Sequence, residues 1–419
     1  MKKYIFNIII ILSAFAAFTS CSDDDDNGGS GKTPVVRYVR PTDATKSDSL
    51  LDKAYLGSQI AIIGENLSKV NKIYFNDQKA KLNPNFVTDN AIIVTIPAGI
   101  PGEKEDLIKL YTNNDSCYYT FETLVPAPSP RSMTYEYVAD GELAYIQGLY
   151  FIHEDANPLT VVFPGNLEAE VVSHDINNLV VRVPSGAQSG PLKVTSVYGT
   201  GESYFDFRDQ RNIILDFDTR YPDGEFWHGW HGGTGYGTEG GANGQYLILA
   251  GEVTVSAEGN TSTSDPLFCY DRWTYRQTDP DFFDAGNLEN YALKFEVNVQ
   301  NWSAGALQVI FTGASESWMN WQETSNGGNP NENAKWSESY PRAMWMPWTE
   351  TGEYSTEGWI TVTIPMTDVK YGMNGATVNT NSSGHYSGVT LFVGGSAAIG
   401  TTCNPTFHID NVRVVKAQR

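Results

Sequence analysis

"YLGSQIAIIGENLSKVNKIYFNDQKA", from Tyr55 to Ala80, holds an apolar strand that ends at Gly64, a polar turn, and a second strand. "ADGELAYIQGLYFIHEDANPLTVVFPGNLEA", from Ala139 to Ala169, repeats that order around Gly148. Each copy continues with a strand closed by proline, "NAIIVTIPAGIPG" and "NLVVRVPSGAQSG", and then an aromatic strand, "CYYTFET" and "SYFDFRD". Gly64 and Gly148 lie 84 residues apart, and Pro97 and Pro184 lie 87 apart, the drift that duplicated units with loop insertions produce. The alternation in "AIIVTIP" and "LVVRVP", with turn residues at short intervals, predicts small antiparallel β-sandwiches.

These glycine-turn and "V.VP" motifs resemble the immunoglobulin-like IPT/TIG domain family over roughly Pro34 to Asp209. The resemblance implies the fold and says almost nothing about a ligand. Two domains are expected, 34–125 and 126–209, with "PAPSP" (Pro126 to Pro130) as a stiff hinge between them.

From 210 to 419 the composition changes. All 10 tryptophans fall between Trp227 and Trp359, with none in the first 226 residues. Strands are read at "NIILDFD", "GQYLILAG", "YALKFEVNV", "LQVIFTG", "GWITVTIPM", "VTLFVGG" and "FHIDNVRVV", with no helical period between them. The expected fold class is therefore all-β: two tandem immunoglobulin-like β-sandwiches followed by a jelly-roll-type β-sandwich at 210–419.

The N-terminus reads as a targeting segment. Lys2 and Lys3, an apolar run and small residues before Cys21 mark 1–20 as a signal peptide. Cys21 directly after the small residues resembles a bacterial lipoprotein signal, which implies lipidation at Cys21. Residues 21–33, with "DDDD" and Gly/Ser, form a flexible acidic tether, and the acidic run resembles the surface-export signal of Bacteroidetes lipoproteins. Taking Lys2 and Lys3 from the 28 basic side chains leaves 26 against 49 acidic, a formal charge of −23 in place of −21. That field argues against nucleic acid as a partner. Cys117, Cys269 and Cys403 lack metal-like spacing; Cys269 and Cys403 either bridge or stay free.

The tryptophans divide by context. Trp302 and Trp359 adjoin strong strands and are expected to pack; Trp345 and Trp348 in "PRAMWMPW" read as structural or edge residues. Trp227, Trp230, Trp273, Tyr275, Trp318, Trp321 and Trp336 sit in Gly-, Asn- and Ser-rich loops with little core to enter, the pattern of a binding surface. A flat indole matches the apolar C–H face of a pyranose, and each stacked ring contributes about 1–3 kcal/mol by analogy with bases on aromatics. Asn320, Gln322, Asp271 and Arg272 stand beside these rings as hydrogen-bonding partners. His228 and His231 in "EFWHGWHGGTGYG" invite a metal reading, but Gly229, Gly232 and Gly233 argue against a helix and no third ligand is near. No metal and no cofactor are expected. Asp216, Asp218 and Asp410 are weighed as calcium ligands and read as ordinary surface acids.

The run "NWSAGALQVIFTG…GWITVTIPMTDV…GVTLFVGG…FHIDNVRVV" resembles the C-terminal domain of Bacteroidetes surface glycan-binding proteins of polysaccharide utilisation loci. That resemblance implies an outer-membrane lipid-anchored, non-catalytic receptor. It would capture a β-glucan, xyloglucan or mixed-linkage glucan, and hand it to an outer-membrane importer. Two other functions compete. A surface adhesin or protein-partner module would use the immunoglobulin-like pair, and a glycoside hydrolase would need two carboxylates at fixed separation, for which the sequence offers no distinctive pair.

Overall fold

The computed structural model describes residues 32–46, 48–219, 234–255, 268–272, 280–312, 341–372, 375–378, 380, 382–394 and 400–417. The chain divides into two compact units, Met1–Val125 and Pro126–Arg419.

In the first unit, strands Val35–Pro41, Gln59–Glu65 and Ala91–Thr95 form one antiparallel sheet. Strands Gln78–Lys79, Lys72–Phe75, Leu107–Tyr111 and Ser116–Thr120 form the other. Alternate residues of both sheets, among them Ile60, Ile62, Ile73, Phe75, Ile108 and Leu110, turn inward and are buried. Gly64 has a steric reason: a Cβ there would lie 1.9 Å from the carbonyl oxygen of Val35, opposite a bulge between Val36 and Tyr38.

The second unit begins with the same plan. Ser129–Met133, Leu143–Leu149 and Asn178–Arg182 pair as their counterparts do, and Thr160–Phe163, Gly190–Ser196 and Gly199–Phe207 make the second set. Here strand Leu167–His174 is long enough to pair with both sets, so seven strands run as one path. Gly148 repeats the role of Gly64: a Cβ would sit 2.3 Å from the Ser129 carbonyl, opposite a bulge between Pro130 and Ser132. The "PAPSP" stretch differs from expectation. Pro128 and Pro130 are buried, Ser129 and Pro130 pair with Leu149 and Gly148, and a Cβ on Gly201 would strike the Pro128 carbonyl. From Pro128 on, this stretch is strand and packing rather than linker.

The remainder of the second unit is a two-sheet sandwich. One sheet orders Thr234–Gly237, Tyr246–Ala250, Thr406–Lys416, Tyr291–Gln300 and Ile360–Pro365, with Ile213–Leu215 also on Thr406–Lys416. The other orders Phe268–Arg272, Gly388–Gly394, Ala306–Thr312 and Arg342–Trp345. All seven strands read from sequence are present. Thr234–Gly237, Phe268–Arg272 and Arg342–Trp345 are additional, so Asp271 and Arg272 belong to a strand and not to a loop. Leu293, Phe295, Val297 and Val299 face Leu307, Val309 and Phe311 across one hydrophobic core. Trp302 is fully buried in it and donates its Nε1 proton to the Ala304 carbonyl at 2.8 Å. Trp348 is buried and donates to the Gly305 carbonyl, while Trp345 packs against Trp302 and Tyr354.

The outward face of the first of these sheets carries Lys294, Glu296, His408 and Asp410 by strict alternation. A bulge then changes the phase: Lys294 pairs with Arg413 but Glu296 pairs with Asp410, and Asn411 takes a left-handed backbone at φ 48. The extra residue returns Val412 and Val414 to the core and points Arg413 outward beside Glu296. Residues Thr134–Val138 and Asp209 of the preceding sandwich cover this polar face. Arg413 donates to Glu296 at 2.7 Å and to Glu136 at 2.8 Å, and Lys294 also donates to Glu136. The Tyr137 hydroxyl donates to the Asp209 carbonyl at 2.6 Å. Backbone closes the seam, because Thr361 N–H donates to the Thr134 carbonyl and Glu136 N–H donates to the Thr361 hydroxyl.

Candidate functional site

Trp227, Trp230, Trp273, Tyr275, Trp318, Trp321 and Trp336 lie outside the described residues, as do His228, His231, Asn320, Gln322 and Cys21. The strands to which those segments attach are described, and their register orders the attachments. Val389 pairs with Arg272 and Gly388 with Thr312, while Ile310 pairs with Arg342. Segments 273–279 and 313–340 therefore leave and return at one end of the sandwich. Segment 220–233 rejoins at Thr234, opposite Leu249; the adjacent Ala250 pairs with Thr406, and Thr406 with Gln300. Residues 301–305 connect Gln300 to Ala306 in the other sheet, so this is the opposite end.

A groove of about 720 Å³ opens at the first end, beside those attachments. Asp281, Asp284, Tyr291, Ser383 and His385 contribute to its lining. Asp281 is held in place: its Oδ1 accepts the Tyr386 N–H at 2.8 Å, and its Oδ2 lies 2.9 Å from His385 Nδ1. Phe282 N–H donates to the Tyr386 carbonyl, and the Phe283 ring stacks on Tyr386 at 5.3 Å. Asn287 and the Gly286 N–H hydrogen-bond Asp284 and hold its carboxyl below the ordinary carboxylate range. Sequence reading passed over these residues. "DPDFFD" reads as turn chemistry, and only pairing with residues about a hundred positions later makes it a wall.

Three readings are refined or corrected by the structure. Trp359 is not core: it is half-buried on the outward face, donates Nε1–H to the Gly240 carbonyl at 2.7 Å and meets Tyr246 edge-on at 5.3 Å. Asp410 is not a surface acid: it is fully buried, its Oδ2 has no hydrogen-bond partner, and burial pushes its carboxyl up to about 8. Of the two alternatives left open for Cys403, bridged or free, the structure has the free thiol. Among the described residues no group of three or more His, Cys, Asp or Glu is placed to hold a metal ion.

A family model described as the surface glycan-binding protein B xyloglucan binding domain matches residues 207–416, half of the chain. An IPT/TIG domain model matches residues 53–121. The crystal structure of the surface glycan-binding protein PbSGBP-B from Prevotella bryantii is similar at TM-score 0.65 and 26% identity, covering 92% of this chain and 99% of that one. An IPT/TIG domain-containing protein of Bacteroides ovatus is 32% identical over 154 residues, which is 35% of this chain and 31% of the relative. The match thus spans under a third of that relative's length. The family binds glycans without catalysing a reaction on them. With the matched region holding every tryptophan and the two-sheet sandwich, the chain belongs to the surface glycan-binding protein B family.

Proposed function

We propose that this protein is a cell-surface receptor, anchored in the outer membrane through lipid on Cys21, that captures a β-glucan for import. Xyloglucan is the first candidate and mixed-linkage glucan the second. The observation that carries this reading is the match of a xyloglucan-binding family model to the half of the chain that holds all 10 tryptophans. The strand attachments favour one platform from Trp273, Tyr275, Trp318, Trp321 and Trp336, because their segments start and finish at a common end next to the Asp281–His385 wall. Trp227 and Trp230 belong to the segment that rejoins the sandwich at Thr234, at the other end. Rings that stack on successive sugars, with carboxylate and amide acceptors for the hydroxyls, give roughly micromolar to millimolar affinity for one chain. Many copies on a surface then retain a polysaccharide by avidity. Capture for an importer needs no tighter single site.

The test is affinity electrophoresis of residues 22–419 through gels containing xyloglucan, mixed-linkage β-glucan, mannan, xylan, starch or no glycan. Trp318→Ala/Trp321→Ala and Trp227→Ala/Trp230→Ala run alongside. Retardation in a β-glucan gel, reduced about tenfold or more in apparent affinity by Trp318→Ala/Trp321→Ala, is the expected result. A folded protein retarded in none of the gels would remove the glucan reading and favour a protein partner.

A further inference from the structure

A second groove, also of about 720 Å³, lies along the seam between the sandwich of residues 126–209 and the one that follows it. Tyr135, Glu142 and Tyr145 line one side; Gly241, Glu357 and Trp359 line the other. We propose that this groove is a second binding site for a neutral glycan chain, so that the immunoglobulin-like domain contributes to capture and is more than a spacer. The proposal rests on the reading of the protein as a glycan receptor.

The groove is preformed. Tyr135 and Tyr137 flank Glu136, which is tied to Arg413 and Lys294 in the buried face below, and the Thr134–Thr361 backbone bond runs through the seam. A ligand entering it spends no binding energy on bringing the two sandwiches together. Its rings are available. Tyr145 is 53% exposed on strand Leu143–Leu149, and Trp359 is half-buried, its ring fixed by the indole N–H bond to Gly240 and by the edge-on contact with Tyr246. A cavity of this volume is within the usual range of small-molecule sites, roughly 300–1,000 Å³.

The polar lining selects the ligand class. Among the described residues the carboxylates of Glu142 and Glu357 have no hydrogen-bonding or ionic partner, and no Lys, Arg or His lines the groove. Two unpaired carboxylates call for a ligand that supplies donors, and they repel an anion. A pyranose chain meets both demands: its hydroxyls donate to the carboxylates and its C–H faces lie on the rings. A long polysaccharide held here and at the loop platform dissociates more slowly than a short one, because the second contact is intramolecular.

Hydrogen–deuterium exchange on residues 22–419, with xyloglucan heptasaccharide as probe, tests this directly. Peptides covering 139–147 and 355–361 are expected to gain protection. Tyr145→Ala and, separately, Glu357→Gln should abolish that gain and weaken retention of xyloglucan polysaccharide about tenfold, with thermal unfolding unchanged. Protection of 313–340 peptides without any at the seam would overturn the proposal and leave the receptor reading intact. Seam protection by an oligolysine peptide but not by the sugar would overturn the ligand class. Protection nowhere, with any glucan, would remove both readings.

Discussion

Arg413 Nη2 donates to Glu136 Oε2 at 2.8 Å, with both side chains buried and 277 positions apart in sequence. The same guanidinium donates to Glu296, and Glu136 also takes Lys294, so two carboxylates and two cations neutralise one another out of water. Such a cluster contributes little net stability compared with apolar residues, but it is costly to break. Its effect here is to set one sandwich on the other in a single arrangement.

Glu136→Gln removes one charge from this set and leaves Lys294 buried without a counter-ion. Loss of about 3 kcal/mol is expected, read as a lower midpoint in guanidinium denaturation of residues 126–419. A change under about 0.5 kcal/mol would mean that solvent reaches the seam.

Asp410 makes stability depend on pH in the direction opposite to a salt-bridged acid. Burial raises its carboxyl to about 8, so the folded protein holds a proton that the unfolded chain has released above about pH 4. The contribution is complete at low pH, declines as pH rises from about 4 towards 8, and is flat beyond. Asp410→Asn keeps an acceptor for the Asn411 N–H and carries no charge. The variant should match the wild type near pH 4 and melt several degrees higher at pH 8.5. Parallel melting curves for the two proteins across that range would refute the assignment.

Gly148 is required by contact, not by turn conformation. With a Cβ placed 2.3 Å from the Ser129 carbonyl and 2.6 Å from the Phe151 ring, Gly148→Ala must push apart strands Ser129–Met133 and Leu143–Leu149. Destabilisation of at least about 2 kcal/mol is expected. Gly141→Ala, with nothing within 4 Å but φ at 85, separates backbone strain from collision and should cost about 1 kcal/mol. Equal effects of the two substitutions on the denaturation midpoint would show that the carbonyl contact is not the constraint.

The repeat around Gly64 and Gly148, the seven main strands of the C-terminal half and the concentration of tryptophans there were all legible in the chain. Period-two burial and glycine at close backbone approaches are local rules, and each leaves its mark within a few residues. In "FHIDNVRVV" the apolar positions shift from 407 and 409 to 412 and 414, and the structure supplies the reason, a bulge with Asn411 in the left-handed region.

What only the tertiary structure decided is which residues from distant segments share a surface. Asp410 read as a surface acid, and Trp359 as a packing residue of unspecified partner, because each was judged by its own strand. Their environments are set by neighbours from other segments: Glu296 and Asn243 beside Asp410, and Gly240 and Tyr246 beside Trp359. The Asp281–His385 wall and the Tyr145–Trp359 groove likewise join residues 104 and 214 positions apart. Local pattern specifies which face of a strand is apolar. What lies against the polar face depends on how whole sandwiches dock, and one buried charge set, assembled from both sides, holds them there.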